Sequence, residues 1–120
     1  MQQIPCFATP IIGVLSTGSE LVECSYTPIG SQIRDSNRPT LLAAFKEDGY
    51  TCVDLGIQSD VYEDLHASVV EAMHRCDVIV TSGGVSMGKA DYIKQIVESL
   101  GKVRLVCVHI SIYLYIFSYA

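Results

Sequence analysis

Short apolar runs rich in β-branched residues alternate along this chain with stretches of helical periodicity, and that alternation narrows the possible folds more than any other feature. Ile11 to Leu15 is a continuous apolar run ending in Ser16-Thr17-Gly18, the pattern of a buried strand entering a turn. Tyr50 to Ile57 and Asp77 to Thr81 repeat it, and Val103 to Val108 begins a fourth run. Between the runs, Leu41, Leu42 and Phe45 form one helical stripe. Leu65, Val69, Ala72 and Met73 form a second, in a helix expected from Val61 to about Arg75, and Ile93, Ile96, Val97 and Leu100 form a third. Asp35, Ser36 and Asn37 offer cap oxygens to the first helix, and Pro39 falls in its first turn, where no N–H is needed. Asp60 and Glu63 stand at capping-box spacing before the second. Gly49 and Gly101 are the expected stops. Residues 22–33 carry Pro28 and Gly30 and read as a loop or small hairpin.

The order β-α-β-α-β-α-β predicts an α/β fold: three layers, with a mainly parallel sheet between helices. A chain of 120 residues can bury one such core but not two. The expected divisions are an extension over 1–10, a domain over 11–103 and an apolar tail over 104–120. Within the tail, Ile110 to Phe117 is uncharged and β-prone, an aggregation signature. The run from Leu105 to Phe117 is too short for a membrane span and contains His109.

The formal net charge is -5 and Lys and Arg are scattered, which argues against nucleic acid as a partner, because neutralising phosphates takes a basic face. Cys6, Cys24, Cys52, Cys76 and Cys107 are odd in number and show no C-x-x-C spacing. They are expected to be free, mostly buried thiols of a cytoplasmic, reducing environment. His66, His74 and His109 do not stand at zinc-ligand spacing from any cysteine. The opening Met1-Gln2-Gln3-Ile4-Pro5-Cys6 lacks the basic and apolar regions of a signal peptide.

In an open parallel sheet, ligands bind at the carboxyl ends of the strands. Three loops leave those ends: Ser16 to Glu20, Gly56 to Asp60, and Ser82 to Asp91. Topology thereby gathers Glu20, Asp60 and Asp91 on one edge. The third loop, Ser82-Gly83-Gly84-Val85-Ser86-Met87-Gly88, suits an anion: glycines expose backbone N–H groups, Ser82 and Ser86 can donate, and a helix begins just after. The full P-loop pattern G-x-x-x-x-G-K-[ST] is not matched, because Ala90 follows Gly88-Lys89 where a hydroxyl is required. The same loop could be a tight turn without a ligand. Asp60 and Asp91 could be helix caps, and Glu20 a solvated turn residue. Three carboxylates beside an anion, however, repel it unless a cation intervenes, which points to Mg²⁺.

Four stretches in order resemble a known family: Val14-Leu15-Ser16-Thr17-Gly18-Ser19-Glu20-Leu21-Val22, Ile33-Arg34-Asp35-Ser36-Asn37-Arg38, Asp54-Leu55-Gly56-Ile57 with Asp60, and Thr81-Ser82-Gly83-Gly84-Val85-Ser86-Met87-Gly88 with Asp91-Tyr92. The chain resembles the molybdopterin molybdotransferase family, which includes bacterial MoeA, animal gephyrin and a plant counterpart. The resemblance implies a MogA/MoaB-like fold and a place in molybdenum cofactor biosynthesis. In that reaction molybdate is inserted into adenylylated molybdopterin with the help of Mg²⁺. Carried over to this sequence, Glu20, Asp60 and Asp91 match catalytic acids, with Asp60 and Asp91 on the metal. Thr17, Gly18, Ser36, Ser82, Gly83, Gly84 and Ser86 match ligand-binding positions. After Gly101-Lys102-Val103 the family continues into a K-P-G-K-P motif whose lysines meet the anionic substrate, and no such lysines follow Arg104 here. The chain is therefore expected to be a truncated copy, inactive alone, with a tail like translated non-coding sequence. The resemblance also implies homodimers. Its alternative role, for gephyrin-like members, is a scaffold that anchors receptors and meets the cytoskeleton.

Overall fold

The computed structural model describes residues 3–83, 92–101, 103–105 and 115–117, the last two segments by their backbone. β1 (Ile11–Thr17) lies at the centre, buried along almost its whole length. It is followed by β2 (Leu21–Val22), β3 (Ile33–Arg34), α1 (Asn37–Glu47), β4 (Thr51–Gln58), α2 (Tyr62–Met73), β5 (Val78–Ser82), α3 (Tyr92–Leu100), β6 (Val103–Leu105) and β7 (Tyr115–Phe117). The main sheet has the order β4-β1-β5, and both pairings are parallel. A strand flanked on both sides and covered on both faces has no polar face to offer, which is why β1 reads as a continuous apolar run rather than an alternating one.

Alternation along β1 sends successive side chains to opposite faces. Ile12 and Val14 pack with Val80 and with Leu42 of α1. Leu15 packs with Leu65 and Val69 of α2 and with Ile93, Ile96 and Val97 of α3. The result is the three-layer α/β/α arrangement predicted from the sequence, with all three helical stripes turned to the core as expected, although Leu41, Phe45, Met73 and Leu100 are only half-buried. Each fully buried Leu or Ile contributes roughly 1.5–3 kcal/mol, so these two clusters carry the stability of the domain. Gly13 lies on the α2–α3 face, where a methyl would come within 2.8 Å of both Cys76 Sγ and Leu55 Cδ1.

α1 ends as its sequence predicts. Asp48 is the C-cap, and Gly49 follows with φ +85°. The Gly49 N–H donates to the Lys46 carbonyl at 3.1 Å and the Tyr50 N–H to the Phe45 carbonyl at 3.0 Å, which together form a Schellman motif. The apolar contact that accompanies such a motif is an edge-to-face pair of Phe45 and Tyr50, 6.5 Å between ring centres. No atom lies within 4 Å of where a Cβ on Gly49 would sit. Gly49→Ala is therefore expected to cost about 1–2 kcal/mol through the left-handed backbone alone, measured as a shift in urea midpoint with unchanged slope.

The helix starts differ from expectation. Ser36 is the N-cap of α1 but its side chain makes no cap bond. The Arg38 N–H instead donates to Asp35 Oδ1 at 3.2 Å, so the residue before the cap does the capping. At α2 the N-cap is Val61, without a side-chain bond, and the expected capping box of Asp60 and Glu63 does not form. Asp60 is drawn to another loop, as described below.

Three further expectations are corrected. The stretch 22–33 is no hairpin: Leu21–Val22 pairs parallel with Ile33–Arg34. The fourth run does not join the main sheet within the described residues; Val103–Leu105 pairs antiparallel with Tyr115–Phe117. Leu105 and Tyr115 are ten positions apart, and antiparallel pairing tolerates so small a separation where a parallel crossover does not. The remainder of the expected run, 106–108, lies outside the described residues. The described thiols are also less buried than expected: Cys6 and Cys24 are exposed, Cys52 and Cys76 are half-buried, and all four are free, while Cys107 lies outside the described residues.

At the amino-terminal edge of the sheet, Asp77 clamps β1. The Ile11 N–H donates to Asp77 Oδ2 at 2.8 Å and the Asp77 N–H to the Ile11 carbonyl at 2.9 Å. No helix among the described residues is long and apolar enough to cross a membrane.

Candidate functional site

β1 and β5 end side by side in a cluster of hydroxyls. Ser16 pairs in register with Ser82. By alternation, Ser16 and Ser82 fall on the α1 face, and Thr17 and Thr81 on the α2–α3 face. All four are nine-tenths buried or more. Among the described residues, Ser16 Oγ, Thr17 Oγ1 and Thr81 Oγ1 have no hydrogen-bond partner. A buried hydroxyl without a partner costs about 1–3 kcal/mol, so three where β1 and β5 end side by side make that end of the sheet a candidate for binding.

Gly83 closes the cluster. Its φ is +94°, and a Cβ there would fall on the backbone oxygen of Thr17 and meet Thr17 Oγ1 at 3.1 Å. The backbone must pass here without a side chain, and only glycine allows it. Thr17, Gly18, Ser82 and Gly83 are thus brought together as expected. Ser16 and Thr81 belong with them; the sequence showed both at the strand ends but gave no sign that their hydroxyls would be buried.

The first two loops meet beside this cluster. The Gly18 N–H donates to the Gln58 carbonyl at 3.1 Å, joining the end of β1 to the end of β4. The Ser19 N–H and Oγ–H both reach Asp60 Oδ2, at 3.1 and 3.4 Å, and the Asp60 N–H reaches back to Ser19 Oγ at 3.3 Å. That reciprocal contact is why Asp60 does not cap its own helix. The Glu20 carboxylate folds over Gly18, where a methyl would meet Glu20 Oε2 at 2.7 Å. Glu20 and Asp60 therefore flank one turn, both exposed to solvent. Ser36 stands exposed at the start of α1, and no described contact ties it to the cluster. Gly84, Ser86 and Asp91 lie outside the described residues.

A second ionic assembly stands behind the turn. Arg38 is 4 % exposed and meets three carboxylates. Its Nε donates to Asp35 Oδ2 at 2.9 Å, Nη2 to Glu23 Oε2 at 2.6 Å, and Nη1 to Asp54 Oδ1. Burial alone would loosen the guanidinium's proton, but the hydrogen bonds to Asp54, Asp35 and Glu23 outweigh it and hold Arg38 above the ordinary arginine value. The sequence showed Arg38 only as part of a motif. Three acids scattered over 32 positions, from Glu23 to Asp54, give no local sign that one arginine will gather them.

An apolar cleft of about 610 Å³ runs between α2, α3 and the edge of β5, with Val69, Ile93 and Val97 in its wall. It passes Thr81 at one end and Cys76 and Asp77 at the other. Burial pushes the Cys76 thiol up, with Arg75 opposing and Asp77 adding, so this thiol resists ionisation. The cleft lacks the Glu20–Asp60 pair, so size does not make it the chemical centre.

Comparison with known proteins places the chain in a family. The chain is 36 % identical over 102 residues to the molybdopterin molybdenumtransferase of Haemophilus influenzae, covering 85 % of the chain and 25 % of that protein. It is 36 % identical over 116 residues to gephyrin of Dictyostelium discoideum, covering 87 % of the chain and 16 % of that protein. Among solved structures, the molybdopterin biosynthesis MoeA protein of Pyrococcus horikoshii superposes with a TM-score of 0.70 at 34 % identity, covering 80 % of the chain and 23 % of that structure. The chain thus spans about a quarter or less of the length of these relatives. Residues 13–113 match the family described as probable molybdopterin binding domain, and the chain belongs to that family.

Proposed function

We propose that the chain acts in molybdenum cofactor biosynthesis as the part that binds an adenylylated molybdopterin while molybdate is inserted. The observation that carries this reading is the set of buried hydroxyls of Ser16, Thr17 and Thr81, without partners among the described residues, beside the glycine-only passage at Gly83. Hydroxyls and open backbone at the carboxyl end of a parallel sheet suit a phosphate oxygen. Relatives named for molybdenum transfer to molybdopterin support the choice of a pterin carrying that phosphate.

Glu20 and Asp60 are the described residues that would hold Mg²⁺. Two carboxylates from the protein, with phosphate oxygens and water for the rest, fit that ion's habit. Bound there, Mg²⁺ supplies neutralisation of the phosphate charge. Ser19 orients Asp60 by occupying Oδ2. Thr17 and Ser82 bind the phosphate from opposite faces of the sheet. Asp91 as a further metal carboxylate, with Gly84 and Ser86 as additional donors, completes the proposal.

The test uses Thr81→Val, which replaces the hydroxyl by a methyl of nearly equal volume. Without ligand, the variant is expected to be more stable by about 1 kcal/mol, since an unpaired buried hydroxyl is removed. Calorimetric titration with AMP and Mg²⁺ is expected to show weaker binding. Unchanged affinity would show that Thr81 does not face the ligand.

A further inference from the structure

We propose that Arg38 is a positioning residue: its guanidinium fork fixes the separation between the turn that carries Glu20 and the turn that carries Asp60. The inference rests on the reading that these two carboxylates face the ligand. Arg38 touches neither of them. It reaches both turns through their supports.

On one side, Glu23 directly follows β2, and β2 directly follows Glu20. The Ile33 N–H donates to the Glu20 carbonyl and the Asp35 N–H to the Val22 carbonyl, both at 2.9 Å. Arg38 binds Glu23 and Asp35, which follow the two strands side by side at the carboxyl end of this small parallel ladder, while Glu20 stands at its other end. On the other side, Asp54 Oδ1 takes Arg38 Nη1 and also the Gly56 N–H at 2.9 Å. Gly56 sits in the β-bulge of β4, where the pairing moves from Val14 with Asp54 to Ser16 with Ile57. The bulge decides which residue of β4 arrives opposite Thr17, and hence where the chain leaves towards Asp60.

A guanidinium presents its donors in a rigid plane, so three carboxylates in different directions are held at once. Lysine keeps the charge but has no such fork. A simpler role for Arg38 is to neutralise Asp35, which is only 2 % exposed, with Glu23 and Asp54 as bystanders. Arg38→Lys separates the two roles, because an ammonium can still serve Asp35.

The experiment is hydrogen exchange on the full chain, comparing wild type with Arg38→Lys and with the milder Glu23→Gln. If Arg38 positions the turns, the amides of Gly18, Leu21, Ile33 and Asp35 lose about tenfold or more of their protection in Arg38→Lys, at least as much as the core amides of Val14 and Leu15. Glu23→Gln shows the same pattern more weakly. Should the turn amides keep wild-type protection while only the core amides exchange faster, Arg38 merely stabilises the fold and the proposal is wrong. A second arm titrates AMP with Mg²⁺. Arg38→Lys is expected to bind about tenfold more weakly, and adding Glu20→Gln should weaken it less than the same change weakens wild type, as coupled residues do. Strictly additive losses overturn the proposal. If wild type does not bind AMP with Mg²⁺, the functional reading fails, and the exchange pattern still decides the role of Arg38.

Discussion

Arg38→Met is expected to destabilise the domain by about 3–5 kcal/mol, because it removes the cation from an ionic group that stays buried. Methionine fills most of the space, so the loss is electrostatic rather than a cavity. Asp35 is left at 2 % exposure without its ion-pair partner, while Glu23 and Asp54 can turn to water. A domain of this size has about 5–15 kcal/mol in total, so roughly a fifth or more of it disappears. Chemical denaturation would show this as a large drop in midpoint with little change of slope. The contrast is Arg75, whose pair with Glu71 at 3.2 Å is exposed on both sides. Arg75→Ala is expected to change stability by less than about 0.5 kcal/mol. If the two substitutions cost the same, burial is not what makes the Arg38 group matter.

Gly83→Ala is the second large effect. The added methyl would press on the Thr17 backbone oxygen, which cannot swing away as a side chain would, and alanine resists φ +94° in any case. Strain and overpacking together are expected to cost about 2–5 kcal/mol. Where the variant still folds, the ends of β1 and β5 must part, and the hydroxyl cluster should lose its affinity for AMP with Mg²⁺. Gly49→Ala serves as a reference, since it has the same backbone problem and no neighbour to strike. A Gly83→Ala cost no greater than that of Gly49→Ala would mean that the close approach to Thr17 relaxes without penalty.

The parts of this fold that follow from periodicity were legible in the sequence. β1, β4, β5 and the three helices stand where their apolar patterns put them, because burying those stripes leaves few alternatives. Gly49 was read correctly because a helix stop depends on a handful of adjacent residues. What depends on contacts between distant loops was not legible. Asp60 looked like a cap because Glu63 follows at the right spacing, yet Ser19 lies 41 positions away and takes it. Arg38 was invisible for the same reason, since Glu23, Asp35 and Asp54 come from three separate segments. Near the candidate site, Thr17, Gly18, Ser82 and Gly83 were named from the resemblance and from the composition of the third loop, and the structure brings them together. Ser16 and Thr81 stood in the same strand ends, but only the structure shows that their hydroxyls are buried, without partners among the described residues.

The sheet order β4-β1-β5 also bears on how the chain reaches this state. No main-sheet strand pairs with the one that follows it by way of a tight turn. Ile11 waits for Thr51 on one side, and Ile12 for Val78 on the other. Each pairing closes a long loop before any packing rewards it, which slows folding relative to a helical bundle of equal length. On a ribosome, the most apolar strand emerges first and stays uncovered until β5 has been made. The seconds of synthesis between those two events are when this chain is most exposed to wrong partners, and a holdase chaperone would find Ile11–Leu15 its natural target.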